Sequence, residues 1–323
     1  MIKYVIKRIL MMIPILMGIT LIVLTFLELA PGDPARVILT RGGREVSDEQ
    51  VEQLRESMGL NDSFVIRYFR FLGNAVRGDF GKSFSNNRDI VDEMAQRLRY
   101  TLIIAVCSTA LSVIIGIPLG IYAATHQYSW KDNAAIALSL VCISMPSFWL
   151  ALLLVQFFSI RLGILPAAGI ESWTGWVMPT ISLGVGYAAL ITRMMRSNLL
   201  EVISQDYITT ARAKGQTEFK LLYRHALKNA IIPIVMIVAN IFAGSLGGAM
   251  IAEIIYSIPG LGNYMLSGLT GRDYPVIMAT SFFMSVIASM VILLIDLAFA
   301  FIDPRIRSQY TRKRRKAVRG GSQ

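Results

Sequence analysis

The chain is 323 residues long; 54% of them are apolar (Ala, Val, Ile, Leu, Met, Phe, Trp, Tyr, Cys) and 16% are charged, against roughly 25% charged in soluble proteins. Its formal net charge is nevertheless +11. This combination excludes a disordered chain and argues against an ordinary soluble enzyme. It leaves two sources for the charge: a nucleic-acid footprint on one soluble face, or the asymmetry of a membrane protein, collected at one end of each hydrophobic span.

Six stretches reach the about 20 apolar residues that a helix needs to cross a bilayer core. They run roughly Ile9–Ala30, Tyr100–Thr125, Ala134–Ile160, Val177–Asn198, Ala230–Tyr256 and Val276–Ile302. They are too long and continuous for alternating barrel strands. In hydrocarbon every backbone N–H and C=O has to be satisfied within its segment, so the runs predict helices. The fold class is therefore an all-α polytopic membrane protein with six transmembrane helices. The first span follows a basic start (Lys3, Lys7, Arg8) but is longer than a signal peptide's apolar region, and cleavage after Ala30 would place Glu28 where a small residue is wanted. It reads as an uncleaved anchor.

Basic residues set the orientation. With the N-terminus in the cytoplasm, 19 Lys and Arg fall on the inner side, which carries a net +14. Segment 31–99 on the outer side holds 11 basic and 11 acidic residues and cancels. Both termini are therefore placed inside. The chain then divides into an N-terminal tail with the first span (1–30), an extracytoplasmic helical segment (31–99), a core of five spans (100–302) containing a cytoplasmic loop at 199–229, and a basic tail (303–323).

Segment 31–99 opens on the helix breaker Pro31-Gly32-Asp33-Pro34. Ser47 followed by Glu49 and Gln50 reads as a helix start that Gly59 would end, and Phe64 to Val76 forms a second amphipathic helix. Together they suggest a small helical cap on the outer surface. Gly81-Lys82-Ser83 imitates the end of a phosphate-binding loop, but that motif needs a glycine where Val76 stands. Cys107 and Cys142 lie in apolar runs and read as small buried hydrophobes. His126 and His225 are far apart, and no metal-ligating or catalytic constellation is visible.

Within the spans, Pro118, Pro146 and Pro233 interrupt spans two, three and five, and Gly244 with Gly248 offers a small-xxx-small spacing for close helix approach. Three acids lie in the spans. Glu28 reaches the interface. The expected partner of Asp296 is a base on another span, such as Arg193 or Arg196. Glu253 has two readings: it accepts backbone N–H groups of the turn Ser257–Gly262, or it faces a pathway.

The cytoplasmic loop from Ser197 to Asn229 is long for a connection and strongly amphipathic. Tyr207 to Lys214 predicts one short helix that Gly215 stops, and Thr217 caps a second piece, Glu218 to Lys228. The shape suggests a lever docked in a groove of a cytoplasmic partner, or a helix pair on the inner leaflet. The tail Arg312-Lys313-Arg314-Arg315-Lys316 reads as contact with anionic lipid.

Asp206-Tyr207-Ile208-Thr209-Thr210-Ala211-Arg212-Ala213-Lys214-Gly215, with His225 to Ala230 and Pro233 downstream, resembles the EAA loop of binding-protein-dependent ABC importer permeases, in the form of the peptide/nickel subfamily. Thr209 and Thr210 stand where the general loop has Glu and its first Ala. The resemblance continues through Pro31–Pro34, Gly78-Asp79-Phe80-Gly81, Ser144-Met145-Pro146 with Phe148-Trp149, Ile258–Gly262, Arg272–Val276 and Asp303-Pro304-Arg305. It covers nearly the whole chain in order and is similar to the B-type permeases of dipeptide, oligopeptide, glutathione and nickel systems.

The resemblance implies a type I ABC importer permease fold in the bacterial inner membrane. It also implies a second homologous permease, two cytoplasmic ABC ATPases that bind the ATP and Mg, and an extracytoplasmic solute-binding protein. The chain itself would bind no cofactor, metal or nucleic acid and would be no enzyme. Thr210, Ala211, Arg212, Ala213, Lys214, Gly215 and Glu218 would form the ATPase-coupling surface. Candidate pathway or gate residues are Ser144, Met145, Asn240, Glu253, Pro259 and Gly260. The implied cargo is a di- or oligopeptide, with glutathione or a nickel complex as the alternative. An ion-coupled transporter acting alone would want several midplane acids or paired inverted repeats, and an intramembrane enzyme would want a catalytic set that is missing.

Overall fold

The structure, a computed structural model, describes residues 2–40 and 46–302. The tail expected over 303–323, with its Asp303-Pro304-Arg305 motif, lies outside them. The described residues fold as helices joined by turns, with a lone bridge between Lys82 and Asp89. Five helices are long and apolar enough to cross a membrane, and a sixth crossing results if one bent pair is a single span.

Helix α1 (Ile2–Leu29) ends at the Pro31-Gly32 breaker, where Gly32 takes φ +101°. In α2 (Pro34–Thr40) proline holds the first position, where its missing N–H costs nothing, and Asp33 accepts the Ala35 N–H at 2.9 Å. Helix α3 (Asp48–Ser57) begins with a reciprocal capping box between Ser47 and Gln50. Helix α4 spans Phe64–Val76, as the apolar periodicity predicts. It is joined to the bundle: Tyr68 packs between Leu24 and Leu27 of α1 and Ile277 and Met278 of α13 (Tyr274–Ile302).

Helix α5 (Ile90–Thr125) starts ten residues before the predicted Tyr100, with Asp89 accepting the N–H groups of Val91 and Asp92. Hydropathy marks only the part of a helix that lies in hydrocarbon; the capped, charged first turns (Glu93, Arg97) extend it outward. The predicted third span is broken. Helix α6 (Trp130–Ser144) and α7 (Ser147–Leu154), which continues as a π-helical stretch over Val155–Arg161, meet at 96°. Pro146 cannot donate a backbone hydrogen bond, and Met145 before it is driven to an extended conformation at φ −79°, ψ 120°.

Helix α8 (Val177–Ile203) is the centre of the bundle: half of its most apolar window is buried, against 11% for α1. It lies against α5 where the side chains vanish. A Cβ on Gly116 would overlap the Ala188 carbonyl and Ile191, and one on Gly120 would overlap Met195 and the Thr192 carbonyl. A Cβ at Gly244 would meet nothing within 4 Å, and one at Gly248 would reach only ordinary or slightly tight contact with Tyr187 and Leu183. The close approach thus falls on Gly116-xxx-Gly120, a small-xxx-small pair of the same spacing, not on the glycines singled out in span five.

Helix α9 (Asp206–Ala213) follows α8. Then α10 (Glu218–Lys220), a π-helical turn over Leu221–Ala226 and α11 (Leu227–Ile255) run on as one long element. The second piece of the loop at 199–229 is therefore the start of the helix that continues as span five rather than a separate helix, and Thr217 makes no side-chain cap. A short helix α12 (Leu261–Gly271) precedes α13.

Candidate functional site

The sequence candidates lie in the loop between α8 and α11, at the α6–α7 break, midway along α11, and at the turn between α11 and α12.

Within α9 one buried side chain anchors the loop. Ile208 is 1% exposed and packs with Met195 and Leu199 of α8 and Ala226 and Ala230 at the start of α11. Around that anchor the rest of α9 faces out: Thr209, Thr210, Arg212, Ala213 and Lys214 are exposed and Ala211 is half-buried. Gly215 takes φ +78°, a left-handed conformation that ends the helix at little cost for glycine alone. Beyond this turn the guanidinium of Arg212 donates to both carboxylate oxygens of Glu218, at 2.6 and 3.1 Å. Hydrogen bonding to Glu218 raises the Arg212 pKa above its already high ordinary value, so the guanidinium stays charged. Asn229 Nδ2 donates to the Tyr207 hydroxyl at 2.8 Å and ties the helix to the base of α11. Six of the seven coupling candidates are thus exposed around one turn, with Ala211 half-buried among them. Phe219 and Tyr223 add an aromatic pair beside it, rings 4.5 Å apart and both exposed. Helical spacing puts Phe219, Leu222 and Tyr223 on one face, but the structure parts them: Leu221 and Leu222 take the core side and leave the two rings exposed.

The pathway candidates separate into two groups. Ser144 and Met145 sit at the α6–α7 break, beside an open cavity of about 680 Å³ lined by Leu140, Val141, Pro146, Phe148 and Trp149. Ser144 is exposed and its hydroxyl donates to the Leu140 carbonyl at 2.8 Å. Asn240, midway along α11, is also exposed, with one N–H on the Met236 carbonyl at 2.9 Å. Glu253, Pro259 and Gly260 are packed within the chain instead: Glu253 and Gly260 are buried and Pro259 is half-buried.

Of its two readings, Glu253 holds the turn. Its carboxylate accepts the Thr101 hydroxyl of α5 at 2.5 Å and the Asn263 N–H at 3.0 Å, while Thr101 Oγ1 accepts the Leu261 N–H at 3.0 Å. A Cβ on Gly260 would overlap that carboxyl group, so glycine is required by close approach at this point.

The other charged partners are long-range. Asp296 pairs with Arg8 of α1 at 2.5 Å, not with Arg193 or Arg196. Arg196 instead grips Asp132 at the start of α6, Nε on Oδ1 at 2.5 Å and Nη2 on Oδ2 at 2.7 Å, and the Tyr128 N–H adds a third donor at 3.1 Å. Glu28 binds Arg67 of α4. Asp273, 1% exposed, accepts the Ser83 hydroxyl at 2.6 Å and the N–H groups of Phe84 and Ser85 at 3.2 and 3.0 Å. This locks segment 31–99 to the turn between α12 and α13. Nothing local in the sequence distinguishes Asp132 or Asp273 from a solvated loop acid.

Two family descriptions match this chain. "Binding-protein-dependent transport system inner membrane component" covers residues 116–308, and the N-terminal region of the membrane components of the same systems covers residues 1–105. The glutathione transport system permease proteins of Escherichia coli strain K12 and of Shigella dysenteriae serotype 1 are each 38% identical over 307 residues, 95% of this chain and 99% of theirs. Among solved structures, an inward-facing MetNI methionine ABC transporter chain superposes with a TM-score of 0.55 at 20% identity, over 65% of this chain and 96% of its own. A chain of an amino acid ABC transporter reaches 0.52 at 18% identity, over 65% of this chain and 94% of its own. The fold is that of an ABC importer permease.

Proposed function

The chain belongs to the inner membrane components of binding-protein-dependent transport systems, and we propose that within such an importer its α9 turn is the contact through which cytoplasmic ATPases move the bundle. It is a multi-pass membrane permease subunit. The observation that carries the coupling role is the build of the turn: an exposed surface from Thr210 to Glu218, stiffened by the Arg212–Glu218 pair and fixed to α8 and α11 by the single buried side chain of Ile208. A push on this surface is passed to two spans at once. Orientation follows the basic residues: the α9 side and the termini lie in the cytoplasm of a bacterium, and segment 31–99 lies outside.

In this reading Ser144, Met145 and Asn240 line the translocation path. Non-helical backbone and an exposed side-chain amide at the middle of a span are costly against lipid and are tolerated where they meet water or protein. Both features are exposed on this chain alone. A second homologous permease opposite the α6–α7 break would close the path between the two chains. Two ATPases would bind ATP and Mg, a solute-binding protein would deliver the cargo from outside, and this chain would hydrolyse nothing itself. The 38% likeness over nearly the full length of glutathione permeases favours a short peptide such as glutathione as cargo.

Gly215→Pro tests the lever. Proline fixes φ near −65° and cannot take the +78° that the turn requires; it also deletes the Gly215 N–H bond to the Arg212 carbonyl. The variant is expected to insert normally and to lose uptake of glutathione or peptide in proteoliposomes while the ATPases still hydrolyse ATP. Normal uptake would refute the coupling role.

A further inference from the structure

Helix α4 is more apolar than its packing inside the chain requires. At about 100° per residue its side chains fall into three sectors. Phe64, Tyr68, Phe71 and Leu72 face α1 and α13 and form the buried side. Arg67, Arg70 and Asn74 share a polar strip about 60° wide. The third sector holds Val65, Ile66, Phe69 and Val76, which are 59%, 51%, 60% and 87% exposed.

The position of the helix sets what covers that face. The Tyr68 hydroxyl donates to the carbonyl of Met17 at 3.0 Å, twelve residues or about 18 Å of helix rise before Leu29. Arg67 reaches the other way to Glu28, near the end of α1. The helix therefore lies beside the final turns of a membrane span, at the depth of one leaflet, rather than above it. Its exposed face continues that of α1, where Leu21, Ile22, Phe26 and Leu29 are 43%, 55%, 69% and 73% exposed. Both guanidinium groups are ion-paired within the chain, Arg67 with Glu28 and Arg70 with Asp62 at 2.6 Å, so no unpaired charge on the helix is offered to a charged protein partner.

We propose that α4 is an interfacial helix, seated in the leaflet on the side of segment 31–99, with Val65, Ile66 and Phe69 against lipid acyl chains. An interfacial helix buries its apolar face about 5–10 Å into the headgroup and acyl boundary, and the Arg67–Glu28 and Arg70–Asp62 pairs are placed to stay at that boundary. The segment is then a lipid-held collar around the end of α1, in addition to whatever docks on its polar surface.

The full-length chain in lipid bilayers tests this, with Cys107 and Cys142 replaced by alanine and a nitroxide on one new cysteine at a time: Val65→Cys, Ile66→Cys, Phe69→Cys, and Glu49→Cys on the exposed face of α3 as the aqueous reference. Collisions with molecular oxygen, which concentrates in hydrocarbon, are compared with those of a water-soluble nickel chelate. At 65, 66 and 69 oxygen is expected to exceed nickel several-fold, with the order reversed at 49. Nickel access at 65 and 69 equal to that at 49 would overturn the proposal in favour of a face open to water or a soluble partner. Exclusion of both reagents would overturn it in favour of a second protein chain. Three labelled positions keep the test decisive if one variant fails to insert.

Discussion

Arg196→Met removes the partner of a buried carboxylate. The Asp132 side chain is 1% exposed, and two of its three hydrogen bonds come from Arg196, leaving only the Tyr128 N–H after the substitution. Breaking a buried ion pair from one side costs about 3–5 kcal/mol, because the remaining charge is stranded out of water. Asp132→Asn strands less: it keeps the shape and an acceptor for Tyr128, and the Arg196 side chain is 24% exposed and has a route to the interface. Its cost is about 1–3 kcal/mol. The double change Asp132→Leu with Arg196→Met leaves neither charge and is expected to recover most of the loss, since a buried pair and a well-packed apolar pair are often near equal. Equilibrium unfolding in mixed micelles, followed by the fluorescence of Trp130 two residues from Asp132, reads all three. The reasoning is refuted if Arg196→Met unfolds like the native chain, or if the double variant is no more stable than Arg196→Met alone.

Two further outcomes follow from the packing. Gly120→Val is expected to force α5 from α8, because its Cβ would overlap Met195 and the Thr192 carbonyl, and to lower the folded yield in detergent sharply; Gly244→Val, whose Cβ meets open space, is expected to leave it unchanged. Asp273→Ala removes the acceptor of the Ser83 hydroxyl and of the Phe84 N–H, while the Ser85 N–H keeps Ser83 Oγ at 3.2 Å, so the amide of Phe84 is expected to exchange with deuterium much faster while those inside α13 hold their protection.

Much of the architecture was legible along the chain. Runs of about 20 apolar residues announce spans because the transfer free energy of a window depends on composition alone. Ser47 with Gln50 marked the start of α3, and the left-handed turn at Gly215 was visible as a glycine after an amphipathic run, because caps and turns are local geometry. The first helix of the loop at 199–229 was legible for the same reason, whereas its second piece runs on into α11. The broken third span was only half visible: Pro146 marks a break, but not that the two halves turn by 96°.

What the tertiary structure alone decided is which distant groups meet. Asp296 chose Arg8, Asp132 chose Arg196 across 64 residues, and Asp273 chose Ser83 across 190. Glu253 became a turn anchor, the close helix contact fell on Gly116 and Gly120, and α4 packed against α1 and α13. These are properties of pairs and depths: a charge or a glycine shows in sequence what it can do, and only the packing of the spans brings to it the partner that makes it do so.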